Sequence, residues 1–339
     1  MNEAITLAHG GGGRLTRRLI REVILEELGA GEELARLGDG AVLEDFHGTP
    51  VVTTDGFVVS PRVFPGGDLG RLAVSGTVND LLAAGARPRA MTLGLIIEDG
   101  FPLAELRQQL RSVRAASAEA GVRVVCGDTK VVEHGAADGL FATAAGVGEL
   151  LVRPAPGPWR LAGVSDAAVI LSGTLGDHGV ALLGCRHKMS FQAPVSSDCA
   201  PLNGLILPVL EALGGRVLCM RDPTRGGLAA ALGEIAEEAG IGVEIVEAQT
   251  PVRPAVRAVC ELLGLDPFVL ANEGKMALFV ERAAADRALE LLRAHPLGRE
   301  AAVIGRVSAR RGRPVQLVTP LGVARPLEVP LGELLPRIC

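Results

Sequence analysis

The segment Arg153-Pro154-Ala155-Pro156-Gly157-Pro158 divides the sequence into two halves of similar pattern. Three prolines and one glycine within six residues cannot continue a helix or a central strand. On both sides of it, short apolar runs typical of strands alternate with longer runs whose apolar residues recur at helical spacing. A length of 339 residues suits two domains of ordinary size. We therefore predict two domains, each a layered α/β or α+β structure.

The predicted elements follow from this alternation. In the first half, strands are predicted at 50–54, 90–97, 122–125 and 140–151, and helices at 14–28, 68–85 and 103–120. In the second half, strands are predicted at 167–171, 243–246, 276–281 and 301–307, and helices at 204–213, 226–239, 254–263 and 283–294.

Composition disfavours several classes of protein. The net charge is −5 with acids and bases mixed along the chain, and there is one Trp and no Tyr. Nucleic-acid binding is disfavoured because no basic stripe or series of stacking aromatic residues is present. No apolar run reaches the roughly 18 residues that a membrane span needs, and the first residues lack the pattern of a signal peptide. We expect a cytoplasmic protein that does not enter a membrane.

The cysteines direct attention to the last residue of the sequence. None of the six has the CxxC spacing of a zinc ribbon or redox site, and Cys219 and Cys260, in apolar surroundings, are predicted core residues. Cys339 ends the sequence after an apolar stretch, 331–335, that is predicted to dock. A thiol on a free end can swing into a pocket and carry a covalently bound group. The alternative, that the cysteine there has no function, stays open from the tail alone.

Four aspartates in the first half suggest a metal site. Asp39, Asp55, Asp80 and Asp128 each lie at or near the end of an apolar element, and three of them adjoin a glycine. One such aspartate is ordinary turn chemistry, but four of them, with Asn79 beside one, favour a divalent cation. Mg²⁺ usually shares its ligand shell with substrate phosphates. The pattern predicts a metal–nucleotide site that lacks a Walker motif.

Other polar motifs allow two interpretations each. Gly10–Gly13 precedes a helix and is either a phosphate cradle or a mobile leader. Lys130 can meet a phosphate as a point charge or remain solvated. The segment Asp222–Gly227 opens a helix, where it serves as a cap, admits a phosphate, or does both. Nothing local makes Glu273 a base, and His178 is predicted to be a cap or turn residue.

Taken together, these motifs are similar to those of the HypE family, the carbamoyl dehydratases of nickel–iron hydrogenase maturation, within the PurM-like superfamily of ATP-using enzymes. In order they are Gly10–Gly13, Gly38-Asp39-Gly40, Thr54-Asp55-Gly56, Asn79-Asp80, Gly127-Asp128-Thr129-Lys130, Asp222-Pro223-Thr224-Arg225-Gly226-Gly227, Asn272-Glu273-Gly274 and Pro336-Arg337-Ile338-Cys339. The acidic motifs specify only the superfamily. The terminal Pro-Arg-Ile-Cys narrows the resemblance to HypE.

The resemblance implies a PurM-like two-domain α/β fold. Residues 1–38 would form a Gly-rich leader and helix, and 39–152 an N-terminal domain that binds ATP and Mg²⁺ and whose mixed sheet pairs with a second copy in a homodimer. Residues 160–328 would form a C-terminal α/β domain, and 329–339 a flexible tail that carries Cys339.

The resemblance also implies a set of site residues. The metal ligands would be Asp39, Asp55, Asp80 and Asp128. The nucleotide would contact Gly11, Gly12, Asn79, Thr129, Asp222 and Gly226. The catalytic residues would be Cys339, Lys130 and Glu273, of which the last two are placed near the carbamoyl group by analogy alone.

The implied reaction takes place on the tail. A HypF-like carbamoyltransferase would load Cys339, ATP would drive dehydration of the carbamoyl group to a thiocyanate, and a HypC–HypD-like iron scaffold would accept the cyanide. Two alternatives remain at this point. One is a PurM-like synthetase or kinase that acts on a free small molecule, and the other is a non-enzymatic scaffold whose thiol carries a ligand.

Overall fold

The computed structural model describes residues 4–38, 40–189, 195–310, 312–328 and 337–339. Asp39 and the predicted docking stretch 331–335 lie outside the described residues. None of the helices in the described part of the chain has the length and apolar character that crossing a bilayer requires.

The helices, in chain order, are α1 (Arg14–Leu19), α2 (Leu25–Leu28), α3 (Glu32–Ala35), α4 (Leu69–Ala83), α5 (Leu103–Ala120), α6 (Asp177–Arg186), α7 (Asn203–Leu213), α8 (Gly227–Ala239), α9 (Pro254–Leu263) and α10 (Ala285–Arg293). A π-helical turn, Ile20–Ile24, joins α1 to α2, so the three pieces form the helix predicted at 14–28. Gly29 ends it in the left-handed conformation, with a φ of 60°, which glycine adopts at little cost.

The strands, in chain order, are β1 (Pro50–Phe57), β2 (Val63–Phe64), β3 (Gly67–Asp68), β4 (Ala86–Glu98), β5 (Arg123–Val132), β6 (Leu140–Leu150), β7 (Ala167–Leu171), β8 (Val217–Arg221), β9 (Gly242–Val246), β10 (Ala277–Glu281), β11 (Ala302–Ser308), β12 (Val315–Val318) and β13 (Ala324–Pro326). They form a four-stranded sheet, a seven-stranded sheet and a short ribbon of β2 and β3.

The four-stranded sheet has the strand order β1-β6-β4-β5, in which β4 and β5 are parallel and the other pairs antiparallel. Helix α4 packs on one face: a Cβ at Gly146 of β6 would lie 2.7 Å from Thr77 Cγ2 and 2.9 Å from Leu81 Cδ1. The other face exposes Val52, at 68% of its surface. Within the described ranges, the sheet is therefore covered by a helix on one side and open on the other.

The seven-stranded sheet has the order β13-β12-β9-β11-β7-β10-β8 and is covered on both sides. Along β7, Ala168 and Ile170 join a core that includes α7 and α10. The alternate residues, Ala167, Val169 and Leu171, join a second core that includes α8. This burial on both faces explains why β7 reads as a continuous apolar run. Cys219 and Cys260 are buried, as predicted.

The difference from the predicted elements that bears most on the site is in β5. The strand was predicted to end at Val125, but it continues to Val132 because its second half pairs in parallel with β4, from Leu93 to Glu98. Asp128 and Lys130 therefore lie within a strand rather than in a loop after one. The predicted bounds of the four segments of the chain stay a prediction.

Candidate active site

Four carboxyl groups from distant parts of the chain lie near one another. They belong to Asp55 on β1, Asp80 on α4, Asp222 after β8 and Glu273 before β10. Electrostatic repulsion from Asp55 contributes to a raised pKa at each of the other three. We call these four residues the acidic cleft.

Burial is the main cause of the raised pKa values in the acidic cleft. It raises the pKa of Asp222 to about 7, with repulsion from Asp80 and Asp55 adding to the effect. At Glu273, burial and then repulsion from Asp222 raise the pKa well above its ordinary value. A carboxyl group with the pKa of Asp222 exchanges protons near neutral pH, which is what general acid–base catalysis requires.

Glu273 is held by its backbone while one side-chain oxygen remains unbonded. The side chain is buried, and its Oε1 has no hydrogen-bond partner within the ranges that the structure describes. The Glu273 amide donates to Asp198 Oδ1 at 3.1 Å, and the Gly274 amide donates to Asp198 Oδ2 at 3.2 Å. A Cβ at Gly274 would lie 1.8 Å from the Asp198 carbonyl oxygen, so only glycine fits there. The backbone of this loop is thus fixed, and Glu273 Oε1 is available to bond a substrate.

Asp198 is the anchor of that loop. Burial by itself would raise its pKa, but the charge of Lys275, whose Nζ lies 3.0 Å from Oδ2, and the hydrogen bonds from Lys275 and the Glu273 amide outweigh it and lower the pKa below the ordinary range. A buried carboxylate that remains ionised makes strong hydrogen bonds to amides. The position of Glu273 is therefore fixed by an ion pair that solvent hardly reaches.

The last three residues, 337–339, reach the acidic cleft; we call them the tail. The Val58 amide donates to the Cys339 main-chain oxygen at 3.1 Å, and the Ser60 amide donates to the Arg337 carbonyl at 3.2 Å. Burial, followed by repulsion from Glu273, raises the pKa of the Cys339 thiol to about 11, although a hydrogen bond from Arg225 opposes the rise. The docked thiol is thus a neutral group beside the carboxylates.

A second group of predicted residues lies at the other edge of the four-stranded sheet. Gly12, Asp128, Thr129 and Lys130 line a cavity of about 260 Å³, and we call these four the β5 cluster. Lys130 Nζ lies 2.7 Å from Asp128 Oδ2 with both side chains exposed, and the hydrogen bond from Lys130 lowers the pKa of Asp128. Gly12 has a φ of 75° and open space around its missing Cβ, and Gly11 beside it is exposed.

Within one chain, the acidic cleft and the β5 cluster are separate. The register of the sheet places Asp128 in one row with Gly94, Thr143 and Gly56. Asp55 is one residue from that row and hence on the opposite face. Three strand spacings of about 4.8 Å separate β1 from β5, roughly 14 Å in all. In the described ranges, no three acidic, His or Cys side chains converge closely enough to hold a metal ion alone.

Comparison with known proteins identifies the family. Two family models match the chain, "AIR synthase related protein, N-terminal domain" over residues 38–150 and "AIR synthase related protein, C-terminal domain" over residues 164–317. The carbamoyl dehydratase HypE of Azotobacter vinelandii is 48% identical over 343 residues, which cover 100% of this chain and 98% of that protein. The chain belongs to the HypE family of carbamoyl dehydratases. This membership confirms the predicted family and class of enzyme.

Solved HypE structures confirm the predicted PurM-like fold class. A HypE crystal structure in complex with ATP has a TM-score of 0.94 and 42% sequence identity, and the match covers 98% of this chain and 99% of that one. A HypE–HypF complex has a TM-score of 0.80 and 39% identity, with 94% of this chain and 100% of that chain covered.

Two residues predicted to bind nucleotide have structural roles in this chain. The buried Asn79 amide donates to the Ala200 carbonyl at 3.1 Å and accepts from the Leu202 amide at 2.9 Å, so it joins α4 to the second domain. Gly226 precedes α8 with a φ of 78°, a left-handed conformation that favours glycine. Their roles toward the nucleotide, like those of the other predicted site residues, stay a prediction.

Besides Asp198, sequence reasoning missed two residues that contact the tail. Arg225 hydrogen-bonds the Cys339 thiol, although its motif was interpreted as a helix cap, as a segment that admits a phosphate, or as both. His178 was predicted to be a cap or turn residue, but it is the second residue of α6, and its buried ring contacts the tail. The Arg225 motif carried a signal, since a cation beside two glycines suits an anionic ligand. Nothing in the sequence around His178 indicates a contact 160 residues away.

Proposed function

We propose that this HypE family member uses ATP to dehydrate a carbamoyl group carried on the Cys339 sulfur. The product is a thiocyanate, which supplies the cyanide ligand of a nickel–iron hydrogenase. The observation that carries the proposal is the docked position of Cys339 beside Glu273 in the acidic cleft. A tethered substrate makes the reaction intramolecular, which lowers the barrier by about 7–11 kcal/mol at best.

ATP as the second substrate is supported by the solved HypE structure that contains it. Mg²⁺ fits the acidic cleft, because repulsion from Asp55 adds to the raised pKa of Asp80, repulsion from both adds to that of Asp222, and a cation would relieve this repulsion. The ATP phosphates are expected to complete its shell, with Asp39 and Asp128 as further predicted ligands. When bound, Mg²⁺ neutralises charge on the phosphates.

The reaction balances as a phosphorylation followed by an elimination. The carbamoyl oxygen attacks the γ-phosphorus and ADP leaves, which converts a poor leaving group into a good one. The bond from carbon to the phosphorylated oxygen then breaks, and the carbon–nitrogen triple bond forms. Both nitrogen protons are lost. Glu273 is positioned to accept one of them, and the departing phosphate carries the other. Lys130 is proposed to contact the phosphate.

The loading partner is proposed to be a HypF-like carbamoyltransferase, which the solved HypE–HypF complex supports. A thiol with a pKa of about 11 is a weak nucleophile, so loading is expected when the tail has left the cleft. The cyanide would pass to a HypC–HypD-like iron scaffold. All six cysteines are free, which suits the reducing cytoplasm that we propose as the location.

Intact-mass spectrometry of the loaded chain tests the proposed function. After carbamoyl loading and removal of the partner, addition of Mg-ATP should lower the mass of the chain by that of one water, with one ADP formed per chain. Unhydrolysable ATP analogues should leave the mass unchanged, because the carbamoyl oxygen must be phosphorylated before it leaves. Formation of ADP with no loss of mass would refute the proposal.

The proposed homodimer would bring the two groups of site residues together. In the part of the chain that the structure describes, β1 pairs only with β6 and β5 only with β4. Both are therefore edge strands, with a row of backbone groups available for pairing. Pairing of β1 with β5 of a second copy would extend the sheet and set Asp55 beside the partner's β5 cluster. This supports a site completed by both copies.

Subunit complementation checks this arrangement. Asp55→Asn and Lys130→Ala should each abolish most dehydration as homodimers. A heterodimer of the two, purified through two different tags, should regain about half of the parental activity, because one of its two sites is intact. The matched control is the heterodimer of Asp55→Asn with Asp80→Asn, which leaves a defect in both sites. Equal inactivity of the two heterodimers would place both groups in the same chain.

A further inference from the structure

The buried ring of His178 forms a polar contact with the docked tail from the second domain. Its Nε2 lies 2.8 Å from the Ile338 carbonyl oxygen, and its Nδ1 lies 2.8 Å from Ser197 Oγ. Phe64 packs edge-on against the ring, with 5.4 Å between ring centroids. The tail carbonyl is therefore recognised by a group enclosed on all sides by protein.

The chemistry of the contact fixes the direction of every hydrogen bond. A carbonyl oxygen only accepts, so Nε2–H donates to Ile338. Burial lowers the pKa of His178, so the ring is neutral. Nδ1 then lacks a proton and accepts from the Ser197 hydroxyl, whose oxygen in turn accepts from the Cys199 amide at 3.0 Å. This chain of bonds holds the single donor of the ring toward the tail.

The same short segment also positions Glu273. Ser197 orients His178, while its neighbour Asp198 bonds the amides of Glu273 and Gly274. One segment of backbone thus fixes both the tail carbonyl next to the reacting sulfur and the carboxylate that faces it.

On this basis we propose that His178 is a positioning residue for the dehydration step, which seats Ile338 so that the Cys339 sulfur lies in register with Glu273. This deepens the proposed function and rests on it. The donor at Nε2 matters only while the tail is docked. Loss of His178 should therefore slow dehydration and leave the final extent of carbamoyl loading unchanged.

Two substitutions at His178 distinguish loss of the hydrogen-bond donor from loss of the folded structure. The amide nitrogen of His178→Gln reaches the position of Nε2 and can still donate to Ile338. The shorter His178→Asn reaches only the position of Nδ1. Iodoacetamide labelling of the full-length chain, followed by peptide mass spectrometry, measures exposure of Cys339. Cys126 and Cys185 in the same molecule serve as internal references, since neither contacts the tail.

The Asn variant should label at Cys339 about tenfold faster than the parent, which is the factor that one lost hydrogen bond gives. The Gln variant should remain within about twofold of the parent. In single-turnover dehydration of the loaded chain, the His178→Asn variant should be slower than the parent by a similar factor, and the His178→Gln variant should react at the parental rate. The extent of loading should be equal in all three proteins.

Two results would overturn the proposal. One is labelling of Cys339 in the Asn variant at the parental rate. The other is acceleration at Cys126 and Cys185 to the same degree as at Cys339, which would assign His178 a general structural role. Failure of the parent to lose water would refute the proposed function, whereas the labelling result would still decide whether His178 seats the tail.

Discussion

A Cys339→Ala variant should accept no carbamoyl group and lose no water when Mg-ATP is added. The methyl side chain has no nucleophile, and the other cysteines are distant from the acidic cleft or, like Cys219 and Cys260, buried in the core. The expected effect is complete loss of both steps, while ATP binding is retained because the acidic cleft and the β5 cluster are unchanged. Intact-mass spectrometry before and after loading, with a nucleotide-binding assay alongside, measures each part.

The matched control for this variant is Cys185→Ala. Cys185 is the exposed cysteine near the end of α6, and it should load and dehydrate as the parent does. A carbamoyl adduct on the Cys339→Ala chain, or turnover of ATP with a free small molecule at the parental rate, would contradict a reaction carried out on the tail.

Replacement of Glu273 by Gln should lower the rate of dehydration by about 10²–10⁴, the usual contribution of a positioned base. Gln is close to Glu in size, and the amides of the loop would still bond Asp198. Loading should be unchanged, since it needs the thiolate and not the base. Single-turnover kinetics on the loaded chain measure the step, and Glu281→Gln at the exposed end of β10 is the control.

The pH dependence gives a second test of Glu273. Burial and repulsion from Asp222 raise its pKa, so the carboxylate form is lost as the pH falls through that raised value. The rate of dehydration by the parent should therefore rise with pH across this range, whereas the rate of the Gln variant should not. If the rate of the Gln variant rises with pH as in the parent, the role of general base would belong to Asp222, whose pKa is about 7.

Local pattern was sufficient for much of the fold. The helix at 103–120 and the helix at 254–263 have the predicted bounds, because their apolar positions recur at helical spacing and a glycine in the left-handed conformation follows each one. β8 was missed, since five residues between a glycine pair and an aspartate leave little pattern to detect. The extension of β5 was missed because it depends on pairing with β4 rather than on its own apolar content.

Less of the candidate site could be predicted from the sequence, because the site also depends on contacts between distant residues. Asp55, Asp80 and Glu273 do approach one another, as their grouping implied. The register of the sheet, which no local motif records, sets Asp128 and Lys130 apart from them within one chain. The role of Asp198 depends on contacts with an amide 75 residues away, so neither its anchoring bond nor the environment of Glu273 could be inferred in advance.

The covered, uncharged state of the docked sulfur also bears on oxidative damage. The thiolate form attacks peroxides and disulfides, and these oxidants need a clear approach to the sulfur. A thiol whose pKa is about 11 and which is only partly exposed offers little thiolate and a restricted approach. A chain that awaits its next cargo with the tail seated keeps its carrier atom reduced, whereas the exposed Cys185 would be oxidised first.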